Sequence, residues 1–269
     1  MAQSLIEMLS LEAIEVNLFR GRAPQGQGPR IFGGLVIAQA LLAAYRTVET
    51  RLCHSLHCYF IRPGDPAAPI LYEVDRARDG RSFTTRRVTA IQHGEQIFNL
   101  AASFQDAEAG AEHQDPMPDL PDPESLTADP RQGDWSRPIE IKPVESDWGA
   151  PGAASSTQNI WMRAVEPLGD DPILNQAVIA YASDMSFLST SMRPHGWHWQ
   201  TPGLQSASLD HAIWFHRPSR FNDWHLYAQN SPSGSGSRGM NLGALYHRDG
   251  ARVATTAQEG LIRLRPPRS

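Results

Sequence analysis

The chain opens with apolar residues that recur at helical intervals. In residues 4–19 they return every three or four positions, which predicts an amphipathic helix. A second helix is predicted over residues 35–48, where nearly every position is apolar, and such a helix is normally buried. Gly33 and Gly34 stand directly before it. Backbone N–H groups at a helix N-terminus are open to a ligand oxygen, although a tight turn that allows close packing is the simpler explanation of two glycines.

A strand pattern replaces the helical period between residues 52 and 104. Turns containing glycine separate four predicted strands: LCHSLHCYFI, PILYEVDRAR, SFTTRRVTAIQ and QIFNLAASFQ. One buried helix followed by several antiparallel strands is an α+β arrangement.

The same order of elements returns after a break. Residues 106–158 are rich in Pro, Asp, Glu and Ala, which predicts a linker on the surface. A helix is then predicted over GDDPILNQAVIAYASDMSFLST, with Asp170 or Asp171 as its N-cap and Pro172 in its first turn. Four strands are predicted to follow: LDHAIWFHRP, WHLYAQN, SRGMNLGALYHRDG and RVATTAQEGLIRLR.

Residue identities support an internal repeat. Six residues recur at one offset of 155 positions (215 − 60): Phe60, Arg62, Pro63, Leu71, Tyr72 and Ser82. Together with the repeated order of elements, these identities predict two copies of one unit. We place the first copy at residues 1–110, the linker at 111–158 and the second copy at 159–269.

Composition limits the classes of function. The 269 residues are 41% hydrophobic and 20% charged, as in ordinary soluble globular proteins. A net charge of −5 gives no basic field for nucleic acid. No apolar run reaches the roughly 18 residues that a membrane span needs.

The sequence also favours a reducing, cytoplasmic location. The N-terminal residues lack the basic start and apolar core of a signal peptide. Cys53 and Cys58 are five positions apart and are expected on opposite faces of a strand, so they are poor disulfide partners. The sequence has no cluster of Cys and His residues that would predict a metal site.

Polar chemistry concentrates in the predicted strand SASLDHAIWFHRP. Ser208 and Asp210 are two positions apart and are expected on the same strand face, with His211 and His216 nearby. The alternative is an edge strand whose polar residues face water.

Asp184 is the most informative single residue of the second predicted helix. It falls seven positions after Ala177 and three after Tyr181, on or beside the apolar stripe. A carboxylate there destabilises the fold unless it is hydrogen-bonded or has a function. It also fits a structural network, or an Asp at the edge of the stripe that reaches water.

Several long motifs resemble the acyl-CoA thioesterase II family. In chain order they are FGGLVIAQAL, HSLHCYFIRPGD, RDGRSFTTRRVTAIQ, YASD, SLDHAIWFHRP, SRG and ATTAQEG, and they cover nearly the whole chain apart from the linker. The resemblance implies an α+β double hotdog, in which each of two repeats wraps a curved antiparallel sheet around a central helix. It also implies hydrolysis of fatty acyl-CoA to fatty acid and coenzyme A, with no cofactor and no metal. A homodimer or larger homo-oligomer is expected.

By motif, the resemblance implies that Asp184, Ser208 and Gln258 hold the attacking water. These residue types suit a thioester, because a thiolate with a conjugate-acid pKa of roughly 8.5 leaves without strong acid help. Asp210 is the second choice for the carboxylate. Direct attack by the carboxylate and the identity of the oxyanion donors stay open, with Gly33 and Gly34 as one candidate. Cys53 stands where Ser208 does in the repeat, which suggests that the first copy lacks this chemistry.

Two other functions fit the sequence less well. A hotdog hydratase or dehydratase would use an imidazole and a carboxylate, for which His54, His57, Asp210 and His211 are candidates. A non-catalytic acyl-CoA-binding protein would be favoured if one of the three expected site residues were missing. A serine α/β hydrolase is disfavoured because no G-x-S-x-G motif occurs.

Five arginines on and between two of the predicted strands are candidates for binding the coenzyme A phosphates, or they form a solvated face: Arg76, Arg78, Arg81, Arg86 and Arg87.

Overall fold

One antiparallel sheet wrapped around two buried helices makes up the fold. The computed structural model describes residues 3–24, 28–129, 138–147, 150, 152 and 155–265. The helices are α1 (Leu5–Leu9), α2 (Gly33–Tyr45), α3 (Pro172–Ser183) and α4 (Ser189–Met192), with 3₁₀ turns at Pro123–Ser125 and Arg193–His195. The strands are β1 (Glu12–Glu15), β2 (Leu18–Gly21), β3 (Leu52–Phe60), β4 (Ile70–Asp79), β5 (Phe83–Gln92), β6 (Glu95–Gln105), β7 (Ile139–Pro143), β8 (Thr157–Ala164), β9 (Leu204–Ser208), β10 (Asp210–Phe215), β11 (His225–Ser235), β12 (Arg238–His247) and β13 (Arg252–Leu264).

The strand order is two similar halves joined edge to edge. The first half runs β1-β2-β4-β5-β6-β3 and the second runs β10-β13-β12-β11-β8-β7, with β9 also paired to β13. Antiparallel pairing of β3 with β10 joins the halves, from Asp210 opposite Tyr59 to Trp214 opposite Ser55. The two halves therefore share one continuous ladder of backbone hydrogen bonds.

The predicted double hotdog is confirmed, and the repeat is visible in the element bounds. Strands β5 and β12 begin and end at positions separated by the same offset that the residue identities gave, and β4 and β11 begin at that offset too. In the first half α2 packs on β4, β5 and β6, and in the second the Tyr227 hydroxyl on β11 donates to the Ser183 carbonyl of α3.

The two central helices also pack against each other. A side chain at Gly34 of α2 would place its Cβ 2.3 Å from the backbone oxygen of Tyr181 on α3. Only glycine allows this approach. The Phe32 ring meets the Tyr181 ring edge to face at 5.1 Å. The close packing considered for the glycine pair is therefore present at Gly34, but the tight turn is not, since α2 already begins at Gly33.

The prediction of one helix over residues 4–19 is wrong. A capping box between Ser4 and Glu7 starts α1, but the helix ends at Leu9 and the chain continues as the strands β1 and β2. Strand β2 pairs with β4, so tertiary strand pairing overrides the helical spacing of the apolar residues.

The second long helix is shorter than predicted. Asp171 is its N-cap, accepting a hydrogen bond from the Ile173 backbone N–H, and Pro172 is its first residue. The helix ends at Ser183 with Asp184 as C-cap, and Ser186 then adopts a left-handed backbone with φ of 60°. This reversal stops the helix, and the chain resumes as α4.

The expected faces of the two cysteines need correction. A β-bulge between Cys53 and Ser55 shifts the register of β3, so Cys53 and Cys58 are both buried. Both thiols are free.

The linker prediction at residues 111–158 stays a prediction in its bounds. Part of that range, including residues 130–137, lies outside the described residues. Within the remainder, β7 pairs with β8, and the Trp161 indole N–H donates to the Pro121 carbonyl at 3.0 Å. Leu120 and Leu126 pack on the apolar cluster around Trp161. In the described ranges, no helix is long and apolar enough to cross a bilayer.

We predict that residues 1–110 alone are not a stable soluble monomer. The fragment exposes the β3 edge that β10 covers and the face of α2 that α3 covers, and an open edge promotes association. Gel filtration with light scattering and thermal melting should show aggregates or a non-cooperative melt. A cooperative melt from a monomer would contradict the prediction, and the full-length chain is the control.

Candidate active site

The Asp184 carboxylate lies where the two central helices meet. It is the C-cap of α3, and it accepts a hydrogen bond from the backbone N–H of Gly34 at the first turn of α2. A side chain at Gly33 would place its Cβ 2.7 Å from Asp184 Oδ2 and 2.9 Å from the Phe60 ring. Gly33 and Gly34 are therefore required for the approach of α2 to this carboxylate.

Gln258 and Ser208 complete the set of donors. Gln258 Nε2 donates to Asp184 Oδ1 at 2.8 Å, and the Ser208 hydroxyl also hydrogen-bonds the carboxylate. Ser208 is the last residue of β9 and pairs with Gly260 on β13. Gln258 is two residues before Gly260 on the same strand face, so one ladder positions both side chains. The three residues named from the family motifs thus meet at one carboxylate.

Burial shifts the protonation equilibrium of this carboxylate. Desolvation raises the pKa of Asp184 from 3.8 to about 6, while the hydrogen bonds from Gln258, Gly34 and Ser208 lower it by a smaller amount. Asp184 remains partly exposed where it faces the adjacent cleft. A carboxyl with this pKa is ionised at neutral pH and is a stronger proton acceptor than an ordinary aspartate.

A cleft of about 870 Å³ opens beside Asp184. Its lining includes the apolar side chains Phe32, Val36, Phe98 and Leu188. It also includes Arg30, Arg62 and Arg193 and the indoles of Trp197 and Trp199. A volume of this size with both apolar and cationic lining suits a long amphipathic ligand with an anionic end.

Asp210 does not join the Asp184 cluster. Its Oδ1 accepts a hydrogen bond from the Glu259 backbone N–H at 2.6 Å, which fixes the step from β9 to β10. Desolvation raises its pKa. Leu209 breaks the strand between Ser208 and Asp210, so the expectation of one shared face is not met.

The imidazoles considered for a hydratase are also apart from the cleft. His211 is buried, burial lowers its pKa to about 3, and its Nε2 is 3.0 Å from Ser183 Oγ. His54 Nε2 is 2.8 Å from Ser103 Oγ, and the His57 ring meets Trp214 edge to face. Among the described residues that line the cleft, none of these three histidines appears.

Over the described chain, the five arginines suggested for phosphate binding do not line the cleft. Arg86 is buried and donates to Asp79, to the Thr47 hydroxyl and to the Thr47 carbonyl. Arg30, Arg62 and Arg193, which do line the cleft, lie outside the predicted strands. Only Arg62 stood out in the sequence, as a repeat identity within HSLHCYFIRPGD, and none of the three was a phosphate candidate. The described residues contain no cluster of three metal-ligating side chains.

Comparison with known structures first identifies the class of fold. A protein of Alicyclobacillus acidocaldarius described as having a hot dog fold superposes with a TM-score of 0.84 at 20% identity, covering 97% of this chain and 98% of that one. An acyl-CoA thioesterase II from Mycobacterium marinum gives a TM-score of 0.85 at 42% identity and covers 98% of both chains.

Sequence comparison then gives the family. Residues 129–261 match the family model described as acyl-CoA thioesterase, and residues 22–105 match the acyl-CoA thioesterase N-terminal domain. Acyl-coenzyme A thioesterase 8 of Homo sapiens is 41% identical over 284 residues, which cover 96% of this chain and 88% of that protein. The chain belongs to the acyl-CoA thioesterase family, and it is a thioester hydrolase.

We predict an acid limb in the pH profile of kcat/KM near pH 6. Burial raises the folded-state pKa of Asp184 to about 6, so this carboxylate becomes protonated as pH falls through that value, and activity is lost if Asp184 is the general base. Thiol release between pH 4.5 and 8.5 measures the limb. A limb near pH 4 would show that Asp184 is not the titrating base.

The substrate needs a control in this measurement, because a phosphate monoester also titrates near pH 6. An acyl-pantetheine substrate lacks the 3′-phosphate, so a limb that persists with it belongs to the enzyme.

Proposed function

We propose that this chain hydrolyses fatty acyl-CoA to free fatty acid and coenzyme A, with Asp184 as general base. The observation that carries the proposal is the convergence of Gln258, Ser208 and Gly34 on one partly exposed carboxylate at the wall of the cleft. In this proposal Ser208 and Gln258 hold the attacking water beside Asp184.

The proposed reaction needs one proton transfer in each direction. The water oxygen bonds to the thioester carbonyl carbon while its proton passes to Asp184, and the carbonyl oxygen becomes an oxyanion. When the tetrahedral intermediate collapses, the C–S bond breaks and the thiolate leaves with the electron pair. Asp184 then returns the proton to the thiolate or to solvent. The thiolate is a good leaving group because the pKa of its thiol is roughly 8.5.

Gly33 is our candidate donor to the oxyanion. Its N–H belongs to the first turn of α2, where backbone donors have no partner within the helix, and Gly33 lines the cleft. The neighbouring Gly34 N–H already donates to Asp184 and is not available for this role.

The cleft supports placement of the two ends of the substrate. Arg30 and Arg62 are exposed at its wall, and guanidinium groups bind phosphate through paired hydrogen bonds. We assign the coenzyme A phosphates to that region and the acyl chain to the apolar wall around Val36 and Phe98. The cytoplasmic location and a homodimer or larger homo-oligomer remain part of this proposal.

The hydratase alternative has weaker support. It requires an imidazole and a carboxylate that face one substrate, whereas His211 is buried and neutral and Asp210 binds a backbone N–H. The non-catalytic alternative has no missing site residue to favour it, since Asp184, Ser208 and Gln258 are all present and clustered.

We predict release of free thiol from fatty acyl-CoA in stoichiometric ratio to fatty acid, without added metal or nucleotide. A panel of acyl-CoAs of different chain length, assayed with a thiol reagent, gives both the activity and the preferred chain. Loss of activity with a chelator and recovery with zinc would contradict the water-and-carboxylate mechanism. Conversion of an enoyl-CoA to its hydroxy product without thiol release would favour the hydratase.

We predict that Asp184→Asn lowers kcat by at least about a hundredfold, the lower range of general-base contributions. The amide cannot accept the proton, which is why kcat should fall. Because it is nearly isosteric with the carboxylate, KM and the fold should change little. Ser208→Ala and Gln258→Ala should each lose less, because they orient the water. Either one combined with Asp184→Asn should lose less than the product of the single effects.

Asp210→Asn is the matched control, because its remaining oxygen still accepts the Glu259 N–H. It should keep near-normal kcat. If Asp210→Asn abolished activity and folded Asp184→Asn kept the wild-type kcat, the assignment of the general base to Asp184 would be wrong.

A further inference from the structure

A row of buried amide side chains crosses the inner face of the second half of the sheet. Its members are Gln158 on β8, Gln229 on β11, Asn241 on β12 and Gln258 on β13, and each is at most 2% exposed. Gln158 pairs directly with Gln229, and Asn241 pairs directly with Gln258. Gln229 pairs with Gly243, which is two residues from Asn241 and on the same face. The four side chains are therefore neighbours in one row.

The segment from Leu188 to Ser191 packs closely on the strands beside the row. Added Cβ atoms at Gly239 and Gly260 would lie 2.3 Å from Ser191 Cβ and 2.2 Å from Leu188 Cδ1. Gly239 pairs directly with Gly260, so the chain from Leu188 to Ser191 packs on β12 and β13 one step along the ladder from Asn241 and Gln258. Asn241 and Gln258 are themselves fully buried, with 0% exposure each.

Some atoms of the row have well-defined partners. Gln229 Oε1 accepts from Gln158 Nε2 at 2.9 Å and from Thr190 Oγ1 at 2.7 Å. Asn241 Nδ2 donates to the Gln258 carbonyl at 3.4 Å. Gln258 Nε2 donates to Asp184. These contacts fix which end of each amide is the donor.

Three atoms of the row have no hydrogen-bond partner in the described protein: Gln229 Nε2, Asn241 Oδ1 and Gln258 Oε1. Buried polar atoms are nearly always hydrogen-bonded to protein or to ordered water. One donor and two acceptors match a single water molecule, which can donate two hydrogen bonds and accept one. The unsatisfied atoms therefore have the composition of a water site.

We propose that Gln229 and Asn241 are positioning residues that hold a buried water, and that this water donates to Gln258 Oε1. The hydrogen bond fixes the Gln258 amide with its Nε2 toward Asp184. In the flipped amide, Oε1 would face the carboxylate and the donor would be lost. The inference deepens the proposed function and rests on it, because it assigns a role through Gln258.

The first repeat supports this role by contrast. The counterparts of Gln229 and Asn241 at the offset of 155 are Val74 and Arg86, and Arg86 pairs with Ala102 as Asn241 pairs with Gln258. Arg86 takes up the space with a guanidinium that donates to Asp79 and Thr47. The amide row therefore occurs in the half that carries Asp184 and is replaced by unrelated contacts in the other half.

Asn241→Leu tests the proposal, because leucine has the same number and branching of side-chain heavy atoms and cannot accept a hydrogen bond. We expect kcat at pH 7 to fall by roughly tenfold or more, the effect of losing one hydrogen bond to a charged group. The acid limb of kcat/KM should also move to higher pH, because the bond from Gln258 lowers the pKa of Asp184. Gln229→Met should give the same two effects and is a second test if Asn241→Leu does not fold.

The limb reports Asp184 because the buried thiol, phenol and imidazole around it stay neutral over this range. Asp210, whose pKa burial also raises, is tested separately by Asp210→Asn. Burial raises the pKa of the Cys58 thiol and of the Tyr227 hydroxyl well above their ordinary values. The pKa of His211, which contacts Ser183 beside Asp184, is lowered to about 3 by burial.

Asn175→Leu is the matched structural control. Asn175 is 2% exposed and hydrogen-bonds the Asp171 carbonyl and the Phe221 N–H at the opposite end of α3. It should lower Tm and leave the acid limb in place. If Asn241→Leu likewise lowered only Tm, the positioning role would be wrong.

Gln258→Ala separates this proposal from the proposed function. In that background Asn241→Leu should cause no further loss of kcat, since its effect passes through Gln258. If the wild type releases thiol and Gln258→Ala is fully active, the proposed role of Gln258 is wrong. If Gln258→Ala loses activity while Asn241→Leu keeps the wild-type kcat and acid limb, only this inference is wrong. A high-resolution crystal structure should show water within hydrogen-bond distance of all three atoms, and a direct contact between Gln229 Nε2 and Asn241 Oδ1 would exclude it.

Discussion

The contact between the Asp184 carboxylate and its donors from both halves of the molecule is the interaction on which the site depends. Gly34 approaches from α2 in the first half, and Gln258 approaches from β13 in the second. Burial alone would keep this carboxyl protonated, and donors alone would make it a weak base. The balance of the two leaves a pKa of about 6, at which the group is ionised and still basic at neutral pH.

This contact also explains why two repeats occur in one chain. The Asp184 carboxylate, the proposed base, belongs to the second copy, but the Gly34 N–H and the close approach at Gly33 come from the first. The helices can meet only if β3 and β10 join the two sheets in a fixed register. The first repeat is therefore part of the site, although the three residues proposed to handle water all lie in the second.

Sequence patterns predicted the parts of the structure that depend on local periodicity. The apolar helix at Gly33, the succession of a helix and strands along the chain and the offset between repeats all follow from such patterns, and Asp184 was noticeable as a carboxylate beside an apolar stripe. Gln258 was named only through the family motifs. The end of α1 at Leu9, the bulge after Cys53 and the donor at Gly34 depend on partners far away in the chain, which no local pattern contains.

The end of α2 shows how differently the two halves use equivalent positions. Counted from the first residue of each helix, Tyr45 occupies the position of Asp184. The Tyr45 hydroxyl donates to Gln176 Oε1 and accepts from the Cys53 N–H at 2.7 Å, and Gln176 Nε2 donates to the Cys53 carbonyl at 2.9 Å. A neutral phenol with both hydrogen-bonding roles filled stabilises the interface between the helices, but it leaves no ionised acceptor for a water proton. The same helix end therefore serves packing in one repeat, while in the other it holds a carboxylate whose burial is offset by three donors.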